Sequence, residues 1–292
     1  MIFKKELKDV FKKASAKFDK FIDKYLDKFL FASVPASSLG LVRILVAFIM
    51  LLNWIFTFSD VVPFLGPSSY FSKEASVIYR YDTWSLLFWL PDTYLSIYSV
   101  LVVGAFSTVC VLIGWRTRFF AWMSFLLLLS TQQRNVHILN SGDNVLRLFA
   151  LFLALTPSGC AYSIDSFRSK ISKTVPAWSL RLFQVQICLI YFVAAITKIL
   201  GKDWRNGTAV YYATRVEWFW RLRVPHFLDQ PILYTVIAYL TIVIELGFPF
   251  FIWFKGTRKI FWWSAVCLHL GIELLMNTQS FQAIMLAGLA AF

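Results

Sequence analysis

The sequence has little charge and few reactive side chains. Only 15% of its 292 residues are charged, and acidic residues number 16 against 29 basic ones. Because a soluble domain carries about 25% charged residues, this composition argues against a soluble globular fold. The four cysteines form no CxxC pair, and three of them lie in apolar segments: Cys110, Cys160, Cys188 and Cys267. We therefore expect no metal site and no redox pair, and interpret the cysteines as small buried apolar residues.

Signatures of common enzymes are missing as well. No GxSxG, Walker loop, HExxH or GxGxxG motif stands in a suitable context. This disfavours hydrolase, ATPase and nucleotide-dependent dehydrogenase activities. The lysine-rich N-terminus has no short apolar core followed by a cleavage site, so no secretory signal is predicted.

Apolar residues dominate what is present. They make up 59% of the chain, and the mean hydropathy is +0.64. Several apolar runs reach about 17–20 residues, the length that crosses about 30 Å of hydrocarbon. Lipid offers no hydrogen-bond partner to an exposed backbone, which favours helices. We predict an all-α, polytopic helical membrane protein with about seven to eight membrane helices in one domain at 35–292. The predicted helices cover 38–58, 94–114, a segment from Phe119, 143–156, a segment from Trp178, 231–254 and 260–276, with a short apolar piece at 281–292.

A basic amphipathic helix is predicted at 1–34, before this domain. Apolar residues in 1–30 recur at helical spacing, with lysines on the other face. Such a helix lies on membrane headgroups; the alternative is a solvated arm packed on its own protein. The net charge of +13 then reflects topology and headgroup contact, and no nucleic-acid partner is predicted.

Basic turns predict the orientation. Successive membrane crossings bring the turns at 115–118, 158–176 and 255–259 to the same side of the membrane as the N-terminus. We assign this side to the cytoplasm. The predicted location is the plasma (inner) membrane. The loop at 201–230 is an exception on the outer side, with five basic and three acidic residues.

Charged groups recur in the outer halves of several predicted helices. Lys198 lies near the end of the run that begins at Trp178, and Glu245 and His269 lie near the middle of their helices. Ionisable groups at membrane depth usually face the bundle interior and mark a site. The same leaflet also receives Arg134, His137, Asp143, Arg147 and Glu273. We therefore predict an outward-facing polar cavity in which a desolvated lysine acts as a base and a histidine stabilises the anion.

Each group also has a structural alternative. Asp143 and Arg147 are i,i+4 and are interpreted as a pair that locks a helical hairpin. His269 and Glu273 have the same spacing, and His269 is equally compatible with an interhelical anchor. Glu245 could be protonated and bonded to a backbone carbonyl, and Lys198 could extend to the outer interface.

Several segments resemble one family, the HTTM domain (horizontally transferred transmembrane domain). This is the membrane part shared by vitamin K-dependent gamma-carboxylase and many bacterial proteins. The resemblance covers about 35–290 and is carried by Tyr191-Phe-Val-Ala-Ala-Ile-Thr-Lys198, Asp203-Trp204, Gly207-Thr-Ala, Arg134-Asn135-Val-His137, Gly142-Asp143-Asn-Val-Leu-Arg147-Leu, Pro157-Ser-Gly, Tyr162-Ser-Ile-Asp165, Glu245-Leu-Gly-Phe-Pro-Phe and Leu268-His269.

The resemblance implies roles for individual residues. Lys198 would be the base that deprotonates a reduced, vitamin K-like quinone, and His137 would assist the oxygenated intermediate. Asn135, Tyr191, Glu245 and His269 are predicted to contact the ligand. The sequence departs from the carboxylase at Val136 and Thr197, and no large luminal portion follows Phe292. Carboxylation of a docked protein is therefore disfavoured relative to quinone or lipid chemistry.

Three functions remain open from the sequence. The first is a membrane protein that binds a quinone or a lipid and supports lysine-dependent proton abstraction or oxygenation. The second is a non-enzymatic membrane factor for maturation or export of a small secreted peptide. The third, a small-solute transporter, is disfavoured because the sequence shows no inverted repeat.

Overall fold

The structure is a computed structural model that describes residues 22–79, 83–168 and 173–292. Two short strands and eight longer helices organise these residues. The bounds are β1 Ser33–Pro35, α1 Ser37–Asp60, α2 Tyr94–Ile113, α3 Thr117–Arg134, α4 Ser141–Leu155, β2 Thr174–Pro176, α5 Trp178–Leu200, α6 Pro231–Phe251, α7 Lys255–Leu275 and α8 Phe281–Leu289. Shorter helices are Ile22–Leu26, Asp27–Phe31, Val61–Leu65, Lys73–Ile78, Ile164–Arg168, Lys202–Arg205 and Ala209–Ala213.

The all-α prediction is confirmed, whereas the count of membrane helices is not. Within the described residues, four helices are long and apolar enough to cross a membrane: Ser37–Leu65, Tyr94–Ile113, Trp178–Leu200 and Pro231–Phe251. The other four are shorter or more polar. α4 has 15 residues and α8 has nine. α3 ends, and α7 begins, in polar residues.

The structure describes only the last part of the predicted N-terminal helix. Residues 1–21, which carry most of the predicted amphipathic helix, lie outside the described residues. Helical structure runs from Ile22 to Phe31 and ends before the extended strand β1. Phe29 lies 5.7 Å, ring to ring, from Trp253, so this segment packs against the turn between α6 and α7.

The strands join two distant parts of the chain. β1 pairs with β2 in antiparallel register, with Val34 opposite Val175. The pairing is continued symmetrically, since Ala36 donates to the Lys173 carbonyl at 2.9 Å and Ala177 donates to the Ala32 carbonyl at 2.8 Å. α1 and α5 therefore leave the same end of the bundle, which we call the strand end; the opposite end is the far end.

The chain contains an internal repeat that the sequence analysis missed. The pattern V-P-A-x-S-L-x-L occurs at 34–41 and again at 175–182, and T-R-x-x-x-W-x-S occurs at 117–124 and at 257–264. In each half a strand is followed by a long helix, a long loop and three further helices joined by short turns. Both halves start at the strand end, so the repeat is parallel rather than inverted.

Each half packs mainly on itself, and α8 joins the halves by packing against α1 and α4. In the first half, Trp54 is fully buried and its ring covers Gly104, where an added Cβ would lie 2.6 Å from the indole. Its Nε1 donates to Thr108 Oγ1 at 2.9 Å, and Thr108 bonds Ser124 at 2.6 Å. This chain of neutral groups ties α1, α2 and α3 together.

A buried arginine fixes the strand end of the first half. Arg43 Nη1 donates to the carbonyls of Ser158 and Ala161 at 2.9 and 3.0 Å, and Nη2 donates to that of Tyr162 at 2.5 Å. The turn after α4 carries carbonyls without partners in its own backbone, so one guanidinium satisfies three of them. Apolar side chains also point away from this core, such as Leu95 at 77% exposure.

Candidate functional site: a polar cluster between the helices of the second half

An ion pair joins α5 to α6. Lys198 Nζ lies 2.9 Å from Glu245 Oε1 and 2.7 Å from Oε2. Lys198 belongs to the last turn of α5, and Glu245 lies on the inner face of α6. The Lys198 side chain keeps 19% of its surface exposed and that of Glu245 keeps 9%. The ammonium also lies 5.1 Å from the centre of the Trp204 ring, so the indole forms one wall beside the pair.

A second polar chain joins α5, α7 and α8. Tyr191 Oη lies 2.6 Å from His269 Nε2, and His269 Nδ1 bonds Gln282 Oε1. The exposures of Tyr191, His269 and Gln282 are 2%, 4% and 2%. The Tyr191 ring stacks on Phe248 of α6 at 4.4 Å. The chain therefore connects all four helices of the second half, and it is sealed from solvent.

The hydrogen-bond chemistry assigns direction to this chain. An amide oxygen only accepts, so His269 Nδ1 carries the proton that bonds Gln282. In a neutral imidazole Nε2 is then the acceptor, and Tyr191 donates its hydroxyl proton to it. The chain holds one neutral histidine tautomer in place.

These two groups form one polar cluster. Tyr191 and Lys198 are separated by two helical turns and lie on the same face of α5. Gln282 lies in the first turn of α8 and Lys198 in the last turn of α5, so the cluster occupies the far half of the bundle. Four predicted site residues are thus brought together: Lys198, Tyr191, Glu245 and His269.

Two other predicted site residues lie in the first half. His137 is exposed on the Val136–Ile138 turn, and its ring meets Phe71 edge-on at 4.9 Å. Asn135 is buried and donates to the Phe64 carbonyl at 3.1 Å, while its side-chain oxygen accepts from the His137 amide. Neither residue contacts the cluster around Lys198. Their contacts tie the end of α3 to the loop that follows α1.

The predicted pair of Asp143 and Arg147 is not a direct contact. Asp143 caps α4: it accepts from the Asn140 amide at 2.9 Å, and Asn140 Oδ1 accepts from the Asp143 amide at 3.1 Å. Arg147 Nη2 instead donates to Asn144 Oδ1 at 2.7 Å. The i,i+4 spacing would permit an ion pair, but the capping box holds the Asp143 carboxylate at the start of the helix.

Glu273 also has a different partner from the one expected. It forms an ion pair with Arg221 at 2.7 Å and does not join His269. The same loop makes a backbone bridge between Trp220 and Met276. The 201–230 loop is therefore fastened to the far end of α7.

Gln282 is the cluster residue that sequence reasoning missed. The available signal was a single amide side chain in the final apolar segment, which was considered too short to cross a membrane. The start of α8 also touches the start of α4, because an added Cβ at Gly142 would lie 2.8 Å from the Phe281 amide. The residues before Gln282 thus link the cluster to the first half.

Comparison with known proteins identifies the family. The family model of the HTTM domain matches residues 31–292. The chain belongs to the HTTM domain family. Among curated proteins, this HTTM protein is similar to sporulation-delaying protein SdpB of Bacillus subtilis (strain 168), with 29% identity over 118 residues. The match covers 37% of this chain and 35% of SdpB, so it spans about a third of that relative. No solved structure matches the HTTM protein.

Family membership and the apolar helices together make the chain an integral membrane protein.

Proposed function

We propose that this HTTM protein binds an apolar, oxygen-bearing ligand, a quinone or a lipid, beside Lys198 and exchanges a proton with it. One observation supports the proposal above the others: the Lys198–Glu245 pair is closed at 2.7–2.9 Å, yet Lys198 remains 19% exposed. The Tyr191–His269 chain of the same bundle is sealed, so Lys198 is the most accessible polar group of the cluster.

The groups present fit such a ligand. An ammonium carries three N–H donors, and one of them bonds Glu245 Oε1. The remaining N–H groups include a donor for a ligand oxygen, and the Trp204 ring offers an apolar face beside it. A flat ring with a hydroxyl or carbonyl group matches this combination of one donor and one aromatic wall.

The proton step needs only this chain and the ligand. Transfer of a proton from Lys198 Nζ to a Glu245 oxygen converts the ion pair into a neutral amine and a neutral acid. Both Glu245 oxygens lie within 2.9 Å of Nζ, so this transfer needs no movement of either side chain. The amine then takes the proton of a ligand hydroxyl, leaving an ammonium beside a ligand oxyanion. A reduced quinone, when bound, supplies such a hydroxyl. His137 is left out of this step because its ring contacts Phe71.

The test is the ligand that copurifies with the protein. Extraction and mass spectrometry should find a quinone or lipid with the wild-type protein and lose it in Lys198→Met. Lys202→Met is the matched control, since this exposed lysine follows the same helix without side-chain partners among the described residues. Equal recovery from all three proteins would refute the proposal.

A double variant separates binding from stability. Lys198→Met leaves Glu245 buried without its partner, whereas Lys198→Met with Glu245→Leu removes both charges and should restore the melting temperature. Recovered stability without recovered ligand supports a binding role. Recovery of both would show that the pair is structural.

A second function is favoured by the 201–230 loop: a membrane factor that engages a small secreted peptide. Trp218 is 93% exposed and Phe227 is 77% exposed, among several arginines on this far-end surface. A photo-crosslinker at position 218 should capture a secreted peptide, while one at Leu95, on the outward face of α2, should not. Crosslinks to lipid alone at position 218 would exclude this function.

We also propose that the strand end faces the cytoplasm, with the N-terminus on that side. The basic turns at 114–118 and 252–259 lie there, which supports the assignment. A single added cysteine at position 256 should then react with an impermeant thiol reagent only after cell lysis. Reaction in intact cells would reverse the orientation.

A further inference from the structure

A cavity opens at the strand end, away from the polar cluster. It measures about 370 Å3, within the range of about 300–1,000 Å3 common for small-molecule sites. Its wall is formed where α3 and α5 begin and α4 ends, and includes Thr117, Arg118, Trp178 and the 155–160 turn. Nothing in the proposed function uses it.

A groove runs from this cavity along the outside of α3. It measures about 470 Å3 and is lined by Arg118, Phe119, Trp122, Met123 and Leu126. Apart from the arginine, every lining side chain is apolar. From Phe119 to Leu126 the helix rises about 10 Å, so the groove descends that far into the hydrocarbon. Arg118 lines both spaces and marks their junction.

The Arg118 guanidinium has no hydrogen bond or ion pair to any described residue. Asp165, the acidic residue of the cavity wall, is already engaged: its carboxylate accepts from the Arg116 amide at 2.9 Å and from Thr117 N and Oγ1 at 2.8 and 2.7 Å. Burial acts to raise the pKa of Asp165, but these hydrogen bonds and the charge of Arg43 outweigh it, so the pKa lies below its ordinary value. Asp165 therefore stays charged as the cap of α3 and leaves Arg118 available.

The internal repeat supplies a comparison within the same chain. Arg258 occupies the position in T-R-x-x-x-W-x-S that Arg118 occupies in the first half. Arg258 donates to the carbonyls of Ile252 and Trp253 at 3.1 and 3.3 Å and so completes the turn before α7. Arg118 makes no such bonds and faces the cavity. The same position completes a turn in one half, whereas in the other it has no polar partner among the residues that the structure describes.

We propose that Arg118 binds the phosphate of an anionic phospholipid whose acyl chain lies in the groove between Phe119 and Leu126. The charge complementarity is direct, because Arg116 and Arg118 place two cations at the headgroup level of the strand end. An apolar groove that begins at Arg118 fits one molecule with an anionic head and a hydrocarbon tail. This site is independent of the Lys198 cluster.

Lipid retention measured by native mass spectrometry tests the proposal. The protein is prepared in mixed micelles with phosphatidylglycerol and phosphatidylcholine in equal amounts. Wild-type protein should retain phosphatidylglycerol in preference, and Arg118→Gln should reduce this preference about fivefold, the equivalent of about 1 kcal/mol per arginine. Arg205→Gln, an exposed arginine at the far end, is the control and should retain the preference.

Two further arms decide the nature of the site. Leu126→Trp fills the groove without touching Arg118 and should also release the lipid, while inorganic phosphate should fail to compete. Displacement by phosphate, together with normal retention in Leu126→Trp, would overturn the lipid and indicate an anion site. An unchanged preference in Arg118→Gln, with an unchanged melting temperature, would overturn the proposal entirely.

Discussion

Replacing Tyr191 by phenylalanine tests the sealed polar chain of the second half. The substitution keeps the ring that stacks on Phe248 at 4.4 Å and removes only the hydroxyl that bonds His269. Hydrogen bonds between membrane helices contribute about 0.6 kcal/mol on average and at most about 1.7 kcal/mol. Here the loss also leaves His269 Nε2 buried without a donor, which costs about 1–3 kcal/mol in soluble proteins. We expect the free energy of unfolding to fall by about 1–2 kcal/mol, the region in which these two ranges meet.

The chain provides its own reporter for this loss. Cys110 and Cys188 are buried, whereas Cys160 is half-buried and Cys267 is exposed. With Cys160→Ser and Cys267→Ser in the background, a thiol-reactive dye reports the opening of the region around Cys188, one turn before Tyr191, on heating. A change of about 1–2 kcal/mol should lower the melting temperature by about 2–6 °C for a chain of this size. Tyr239→Phe is the control: its exposed hydroxyl donates to the Arg205 carbonyl at 2.8 Å, and we expect little change. Equal melting of the two variants would refute the reasoning.

A double-mutant cycle sharpens the result. With Gln282→Leu in the background, His269 loses the partner that fixes its tautomer, and the further loss from Tyr191→Phe should shrink by about 0.5 kcal/mol or more. Strict additivity would mean that the two hydrogen bonds act independently and that no directed chain exists.

Three further predictions concern the first half. Asp165→Asn should lower the free energy of unfolding by about 1–2 kcal/mol at neutral pH. Because the pKa of Asp165 is lowered in the folded protein, the wild-type protein should be the more stable one above about pH 4 and should lose this advantage as the pH falls through the folded pKa. Thermal melts at a series of pH values measure the difference. Gly104→Ala should lower the melting temperature through about 1–3 kcal/mol of overpacking, whereas Gly256→Ala, which meets nothing within 4 Å, should not. Arg43→Met should cost about 2–4 kcal/mol because three carbonyls lose their donor, and limited proteolysis should then cut the turn after α4.

The helices were predictable because apolar runs fix their positions independently of tertiary contacts. The start of α6 at Pro231 and of α2 at Tyr94 agree with the sequence analysis to the residue. The strand pair was not predictable in this way, since each strand has three residues and the partners lie far apart in the chain. The repeat left a sequence signal, V-P-A-x-S-L-x-L, and a search for self-similarity would have found it.

Four residues of the cluster could be selected from the sequence, but their pairing could not, and Gln282 was missed. The seven-residue spacing of Tyr191 and Lys198 is about two helical turns, which places both on one face of α5. Depth in the membrane singled out Glu245 and His269. The choice of partners depends on helix rotation and tilt, which are set by packing against neighbouring helices. The capping box of Asp143 shows the same limit. The i,i+4 spacing permits an ion pair with Arg147, but the carboxylate accepts a hydrogen bond from the backbone at the start of the helix instead.

The two halves use one scaffold for different purposes. Each half links its helices through buried polar groups, but the chain of Trp54, Thr108 and Ser124 carries no charge, whereas the second half places Lys198 and Glu245 beside its neutral chain. A neutral chain can only hold helices together; a charge pair at membrane depth also costs desolvation, which structure alone does not require. At the strand end the difference reverses: Arg258 completes a turn, whereas Arg118 has no hydrogen bond or ion pair within the described residues. Because Arg118 and the Lys198–Glu245 pair occupy opposite ends and opposite halves, the two proposed sites can be altered separately by substitution.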